Sequence, residues 1–286
     1  NLTVLGSITK KTNTTIFSYP YAYVTGVTTG DGAAYSLGEA DALIKTVEAR
    51  LASAGDGPFK WLVGVSYLQA KKNSYDQIFQ AGAADYIDAN PDLYGGYSGA
   101  RLTPGDRLYG YFTKSTNEDF GIFGELSYKP VEQIEITLGG RYYDTTAKAD
   151  VLNQAGALGG YEGGYTPTDS SGSVNQKEDG FLPKATIAWR PSKDVMVYAT
   201  YSQGYRVGGI NPNAGLLPSI PEAYESDKVK NYEIGVKAQT PDGRFAIDLT
   251  GFHLDWNNIQ ARLFGPAPSY YSYVVNAGGA RVNGVE

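Results

Sequence analysis

The sequence predicts an all-β, antiparallel transmembrane β-barrel segment, on three observations. Apolar and polar side chains alternate over segments of roughly ten residues or more, which suits a strand with one face to lipid and one to a wet lumen. Tight turns alternate strictly with long polar stretches. No apolar run reaches the ~18 residues that a membrane helix needs, so any crossing is by strands.

The turns are Ala54-Gly55-Asp56-Gly57-Pro58, Lys129-Pro130, Arg190-Pro191-Ser192-Lys193-Asp194 and Pro241-Asp242-Gly243. Between them lie the polar stretches 20–40, 73–117, 148–177 and 206–227. Short turns on one side and long loops on the other match the periplasmic and extracellular ends of outer-membrane barrels. A soluble β-sandwich also alternates, but its strands usually run about five or six residues.

In chain order the pattern marks strands at 2–19, 41–53, 58–72, 118–129, 133–147, 178–190, 194–205, 228–240, 243–264 and 271–286. The fourth and fifth set Phe120, Ile122, Leu126 and Tyr128 against Asp119, Glu125, Ser127 and Lys129, then Ile134, Ile136, Leu138 and Tyr142 against Glu135, Thr137 and Arg141. In the sixth, Phe181, Ala185, Ile187 and Trp189 oppose Lys184, Thr186, Ala188 and Arg190. The seventh sets Val195, Val197, Ala199 and Tyr201 against Met196, Tyr198, Thr200, Ser202 and Gly204. In the ninth the apolar phase runs Phe245, Ile247, Leu249 and then jumps to Phe252, Leu254, Trp256, which predicts a bulge near Thr250-Gly251 or exit from the lipid zone. Within 73–117, residues 75–89 are a candidate short helix.

Composition agrees. The 286 residues include 24 Tyr, 36 Gly and no Cys, and tyrosine suits interfacial girdles. Absence of Cys fits passage through an oxidising periplasm. A net charge of -6 without a basic patch argues against a nucleic-acid partner and for a small solute or a membrane. There is no signal peptide at Asn1, and the chain stops at Val285-Glu286 inside an alternating segment, so the expectation is a piece of a longer protein.

Four stretches carry a family resemblance. Phe181-Leu182-Pro183-Lys184 through Trp189-Arg190-Pro191 and Val197-Tyr198-Ala199-Thr200-Tyr201-Ser202-Gln203-Gly204-Tyr205-Arg206-Val207-Gly208-Gly209 resemble the mid-barrel hairpin of TonB-dependent outer-membrane receptors. So do Glu225-Ser226-Asp227-Lys228-Val229-Lys230-Asn231-Tyr232-Glu233-Ile234-Gly235-Val236-Lys237 and Asn276-Ala277-Gly278-Gly279-Ala280-Arg281-Val282-Asn283-Gly284-Val285-Glu286. The resemblance is strong from Phe120 onward and looser before it. It implies a 22-stranded barrel filled by an N-terminal plug, in the bacterial outer membrane. Such a barrel imports a scarce solute, most often a ferric siderophore complex, with energy from the TonB complex. The plug, TonB box and terminal strands are absent from this sequence, which is expected to be one partial barrel domain over 1–286.

Candidate chemistry is sparse. His253, the only histidine, has Asp255 two positions on, but no Gly-x-Ser-x-Gly elbow is present, and a polar strand residue is the better reading. One His excludes a multi-histidine zinc site within this sequence. Asp88, Asn90 and Asp92 have calcium-loop spacing, yet Leu93 and Gly99 stand where Gly and Glu are needed, so a solvated loop is favoured. The sequons at Asn1 and Asn13 mean nothing in a bacterial strand, and Glu48 and Arg50 share a face where they can pair on a wet wall. No catalytic residue, metal or cofactor is expected. Substrate contact is expected instead from Tyr205, Arg206, Asn211, Arg262, Tyr270, Tyr271 and Tyr273, where Arg and aromatic groups at an outer vestibule suit an anionic, ring-bearing chelate. Alternative readings are a ten-stranded outer-membrane enzyme of protease type, or a passive porin or adhesin barrel. The expected partners are a small ligand, outer-membrane lipid and the TonB complex through a region outside this sequence.

Overall fold

The computed structural model describes residues 1–19, 34–55, 57–154, 169–211, 214, 220–264 and 272–286. Strands β1 (Leu2–Tyr19), β2 (Ala34–Ala52), β3 (Phe59–Gln80), β4 (Arg107–Val131), β5 (Ile134–Gln154), β6 (Asp169–Ser192) and β7 (Val195–Arg206) follow one another in a sheet. After a short hairpin, β8 (Gly209–Ile210) with β9 (Ala223–Tyr224), the sheet continues through β10 (Asp227–Gln239), β11 (Ala246–Asn257) and β14 (Gly279–Val285). Between the last two, β12 (Gln260–Phe264) pairs with β13 (Ser272–Asn276) as a separate ribbon. The sheet has ten strands, each antiparallel to its neighbours, as a membrane wall of consecutive hairpins requires.

The wall has no conventional core, because its apolar face looks outward. Across β3 to β6, Val63, Val65, Ile122, Leu126, Leu138 and Ile187 are exposed and sit at outward register positions. Aromatic rings border this band. Phe59 stacks on Tyr128 near the short turns, and Tyr67, Phe120, Tyr142 and Phe181 lie toward the long loops. From Phe59 to Tyr67 is about 27 Å along a strand at ~3.4 Å per residue, which strand tilt brings near the ~25 Å apolar band of outer-membrane barrels. Above Tyr67 the outward positions become Gln69, Lys71 and Asn73, which belong in water.

The inner face is polar and ion-paired. Lys184 reaches Glu125 at 2.8 Å, Arg190 reaches Glu135 at 3.0 Å, and Arg141 reaches Asp119 at 2.7 Å. Glu48 and Arg50 pair at 3.7 Å along one strand. Glycines opposite bulky rings let the wall stay thin: an added Cβ at Gly64 would lie 2.4 Å from Phe123, and one at Gly235 2.5 Å from Tyr198. At the Pro241-Asp242-Gly243 turn, Gly243 takes φ 67° and its N–H closes on the Thr240 carbonyl at 2.8 Å.

Several expectations need correction. Much of the stretches expected as loops is strand: β3 runs on to Gln80, β4 starts at Arg107, β5 ends at Gln154, and β6 starts at Asp169. Residues 34–40 also belong to β2, whereas 20–33 lie outside the described residues. Antiparallel pairing satisfies the backbone in water as well as in lipid, so strands outlast the apolar contrast that marks them in sequence. The candidate helix is real but shorter: α1 covers Ala83–Ala89, and α2 (Gly99–Leu102) follows it. No bulge occurs at Thr250-Gly251, since β10 and β11 stay in register throughout. Phe252, Leu254 and Trp256 face inward, and the outward face turns polar at His253 and Asp255, so the phase jump marks exit from the lipid zone. The expected strand 243–264 breaks after Asn257, where Asn258 takes φ 60°, and the expected strand 271–286 breaks before Gly279, where Gly278 takes φ 52°.

Among the described residues, the main buried apolar cluster lies beyond the long-loop end. Ala83, Ile87, Tyr94, Leu102 and Leu108 pack with Ala34. Asp106 anchors this cap by accepting the N–H groups of Gly82 and Ala84 at 3.0 and 2.9 Å.

Candidate functional site

At the outer mouth, β3, β4 and β5 present their inward side chains to the polypeptide between β7 and β13. Period two puts Lys72 and Ser74 of β3, Tyr111, Thr113, Ser115 and Asn117 of β4, and Ala149 of β5 on one wall. Facing them are Gly208 to Asn211, Tyr224, Arg262, Tyr273 and Val274. The cavity between them, open on one side, has a volume of about 410 Å³.

Side-chain amides and a carboxylate hold the far wall in place. Gln176 donates to the Tyr224 carbonyl at 2.9 Å, and the Glu178 carboxylate accepts the Ser226 N–H at 3.0 Å. Gly208 fits against this seam because a Cβ there would lie 2.4 Å from the Tyr224 carbonyl. Gln260 donates to the carbonyls of Arg206, Val207 and Glu225. Asn276 ties Glu225 to Asn258. Each net hydrogen bond contributes about 0.5–1.5 kcal/mol, so the set is strong only together.

The cavity is cationic and phenolic. Lys72 and Arg262 make no ion pair with any described residue, although the Asp76 carboxylate lies close enough to Lys72 to interact with its charge. Burial, reinforced by the nearby Asp76 carboxylate, pushes the Tyr111 phenol up from its ordinary value. Burial also raises Tyr224, against the opposing pull of Arg206 and Arg262. Both phenols are therefore neutral hydrogen-bonding groups near neutral pH.

The expected contact residues divide. Arg262 and Tyr273 line the cavity. Asn211 lines it too, but its amide donates to the Pro221 and Val274 carbonyls and its oxygen accepts the Val274 N–H, so it works as a clamp. Arg206 lies below, bound to Asp227 at 2.5 Å and over the Trp256 ring at 5.5 Å. Tyr205 stacks on Tyr143 at 3.9 Å and donates to Asp119 at 2.7 Å. Tyr270 and Tyr271 lie outside the described residues. Lys72, Tyr111, Thr113 and Tyr224 went unnoticed in the sequence. In 72–76 and 113–117 nearly every position is polar, so no alternation marks them as strand, and Tyr224 likewise falls in a stretch that reads as loop.

His253 and Asp255 approach to 3.4 Å, and Asn283 meets His253 at 2.6 Å, but all are on the outward face, away from the cavity. Asp88, Asn90 and Asp92 do not form the expected solvated loop: Asp88 lies in the last turn of α1 and accepts the Gly99 N–H at 2.7 Å, Asn90 caps that helix, and Asp92 lies in the single 3-10 turn Pro91–Tyr94.

A family profile described as "TonB dependent receptor-like, beta-barrel" matches residues 4–286. The metal-pseudopaline receptor CntO of Pseudomonas aeruginosa is 27% identical over 114 residues, 40% of this chain and 15% of that protein. The ferric yersiniabactin uptake receptor FyuA of Yersinia pestis superimposes with a TM-score of 0.66 at 14% identity, over 99% of this chain and 36% of its own. The siderophore receptor PiuA of Acinetobacter baumannii gives 0.62 at 14% identity, over 99% of this chain and 41% of its own. The chain thus spans under half of each of these proteins.

Proposed function

Because the chain belongs to the TonB-dependent receptor β-barrel family of the bacterial outer membrane, we propose that it forms wall and outer loops of an uptake receptor for an anionic metal chelate, most simply a ferric siderophore complex. The observation that carries this reading is the cavity at the outer mouth, where Lys72 and Arg262 stand unpaired beside the Tyr111, Tyr224 and Tyr273 phenols. A chelate that wraps its metal in carboxylate, catecholate or hydroxamate oxygens offers negative charge and rings to those groups. CntO, FyuA and PiuA are named for metal chelates and siderophores, which supports the same class. In this reading a plug carried elsewhere in the polypeptide meets the TonB complex, and the barrel described here supplies capture.

Equilibrium binding of radioiron chelates to the intact protein tests it. A panel with citrate, catecholate and hydroxamate ligands should contain at least one that binds tightly. For that chelate, Lys72→Gln and Arg262→Gln should each cost about 1.5–3 kcal/mol, the scale of a hydrogen bond to a charged group. Wild-type affinity in both variants, at equal surface expression, would overturn the assignment of the cavity.

A further inference from the structure

The outward wall carries a depression that solute uptake does not use. Where β5, β6, β7, β10 and β11 run side by side, the small residues Ala185, Ala199 and Gly251 leave the wall thin, and Leu138, Ile187 and Ile234 rise around them. The hollow has a volume of about 720 Å³ and an apolar lining. At its upper end Tyr232 packs against His253 with ring centroids 6.0 Å apart, at the level where the outward face turns polar.

Immediately above that rim the outward positions are cationic. Lys230 and Arg281 both stand opposite Asp255, and Lys228 stands opposite Asn257. Asp255 is shared by Arg281 at 3.1 Å and His253 at 3.4 Å, and neither Lys228 nor Lys230 makes an ion pair with a described residue. At the same height on β5 and β6 the charges are mixed, with Lys148 two positions from Asp150 and Lys177 two from Asp179. Lys228 and Lys230 of β10 thus carry positive charge without a paired acid directly above the hollow, whereas the outward Lys10, Lys45 and Lys71 of β1 to β3 are remote from it.

We propose that this hollow and the cations above it form a site for one phosphate-bearing lipid of the outer leaflet. An acyl chain fills the hollow and the lipid phosphate meets Lys228, Lys230 and Arg281. The inference depends on the outer-membrane location and not on the identity of the imported solute. Within a bilayer, shape contacts alone give little preference among lipids, since any acyl chain is as apolar as the wall. Selectivity must come from the headgroup, and a basic cluster at the membrane surface attracts anionic headgroups. The occupant is therefore an amphiphile whose phosphate complements the cluster, in preference to a neutral lipid or a second copy of the chain.

Native mass spectrometry of the intact protein in detergent tests this, with lipid A and dephosphorylated lipid A as probes. One lipid A should bind at concentrations at least tenfold below those needed for the dephosphorylated form. Lys228→Gln/Lys230→Gln should lose at least tenfold in lipid A affinity. Gly251→Leu should do the same by filling the hollow, since an added Cβ there meets only Ile234, at 4.0 Å. Ala49→Leu, outward on β2 and remote from the hollow, should bind as wild type. Equal binding of the two lipids, equal binding by wild type and the double lysine variant, or a lipid-free dimer closed over this face would overturn the proposal. Heat modifiability of each variant confirms that its barrel has folded.

Discussion

Arg206 and Asp227 face each other across one rung of the β7–β10 ladder and pair at 2.5 Å, with the Asp227 side chain only 1% exposed. Asp227 also accepts the Gln260 N–H at 3.1 Å, and Arg206 reaches the Gln260 carbonyl at 3.2 Å. The pair thus joins the end of β7, the start of β10 and the base of the β12–β13 ribbon. Its charge is committed to architecture, and the free cations lie higher in the cavity.

Removing either member should loosen the same loops. Arg206→Ala leaves a buried carboxylate without its cation, and Asp227→Ala leaves the guanidinium and the Gln260 N–H without an acceptor. The Arg206 side chain is half exposed, so we expect a cost of about 1–3 kcal/mol rather than that of a fully buried pair. Hydrogen exchange in 207–211 and 223–227 should accelerate in both variants, and chelate affinity should fall in both. If Arg206→Ala weakened binding while Asp227→Ala left binding and exchange unchanged, Arg206 would instead be a direct ligand contact.

The placement of turns and cap fixes a topology that labelling can read. Leu93 is 59% exposed in the cap beyond the long-loop end, whereas Ser192 lies at the short turn between β6 and β7. On intact cells an impermeant maleimide should label Leu93→Cys and spare Ser192→Cys. The reverse pattern would invert the orientation.

The membrane-spanning half of the fold was legible in sequence because lipid demands contrast. An outward Ile187 beside an inward Thr186 is readable at sight, and so were the turns that join such strands. Above the lipid the contrast fades, since outward Lys71 and inward Lys72 are both polar, and the strand looks like a loop. Half of the cavity was hidden for that reason. Arg206 was placed correctly on the inward set by period two, but its partner was not foreseeable, because the rung that pairs it with Asp227 depends on the ladder after β7. The glycines were likewise misjudged as composition alone, although Gly64 and Gly235 are spaces cut for particular rings.

One such space controls how β7 enters the lumen. The ladder between β6 and β7 is last recorded at Lys184 and Ser202, and beyond it Tyr205, on the same strand face as Tyr201, lies against Tyr143 of the inner wall. Tyr143 is 1% exposed and lies over Gly180, where an added Cβ would come 2.7 Å from its hydroxyl. Gly180→Ala must therefore push the Tyr143 ring away, and with it the Tyr205 stack and its hydrogen bond to Asp119. Overpacking of this kind costs about 1–3 kcal/mol. Tyr205→Phe should keep the stack and lose only the hydrogen bond, about 1 kcal/mol. Stability read from the temperature at which the intact barrel unfolds in detergent should then rank wild type, Tyr205→Phe and Gly180→Ala in falling order. A Tyr143→Ala/Gly180→Ala double variant should show no further loss over Tyr143→Ala, because the clash has been removed. Additive losses in the double variant would mean that Gly180 acts through something other than the Tyr143 ring.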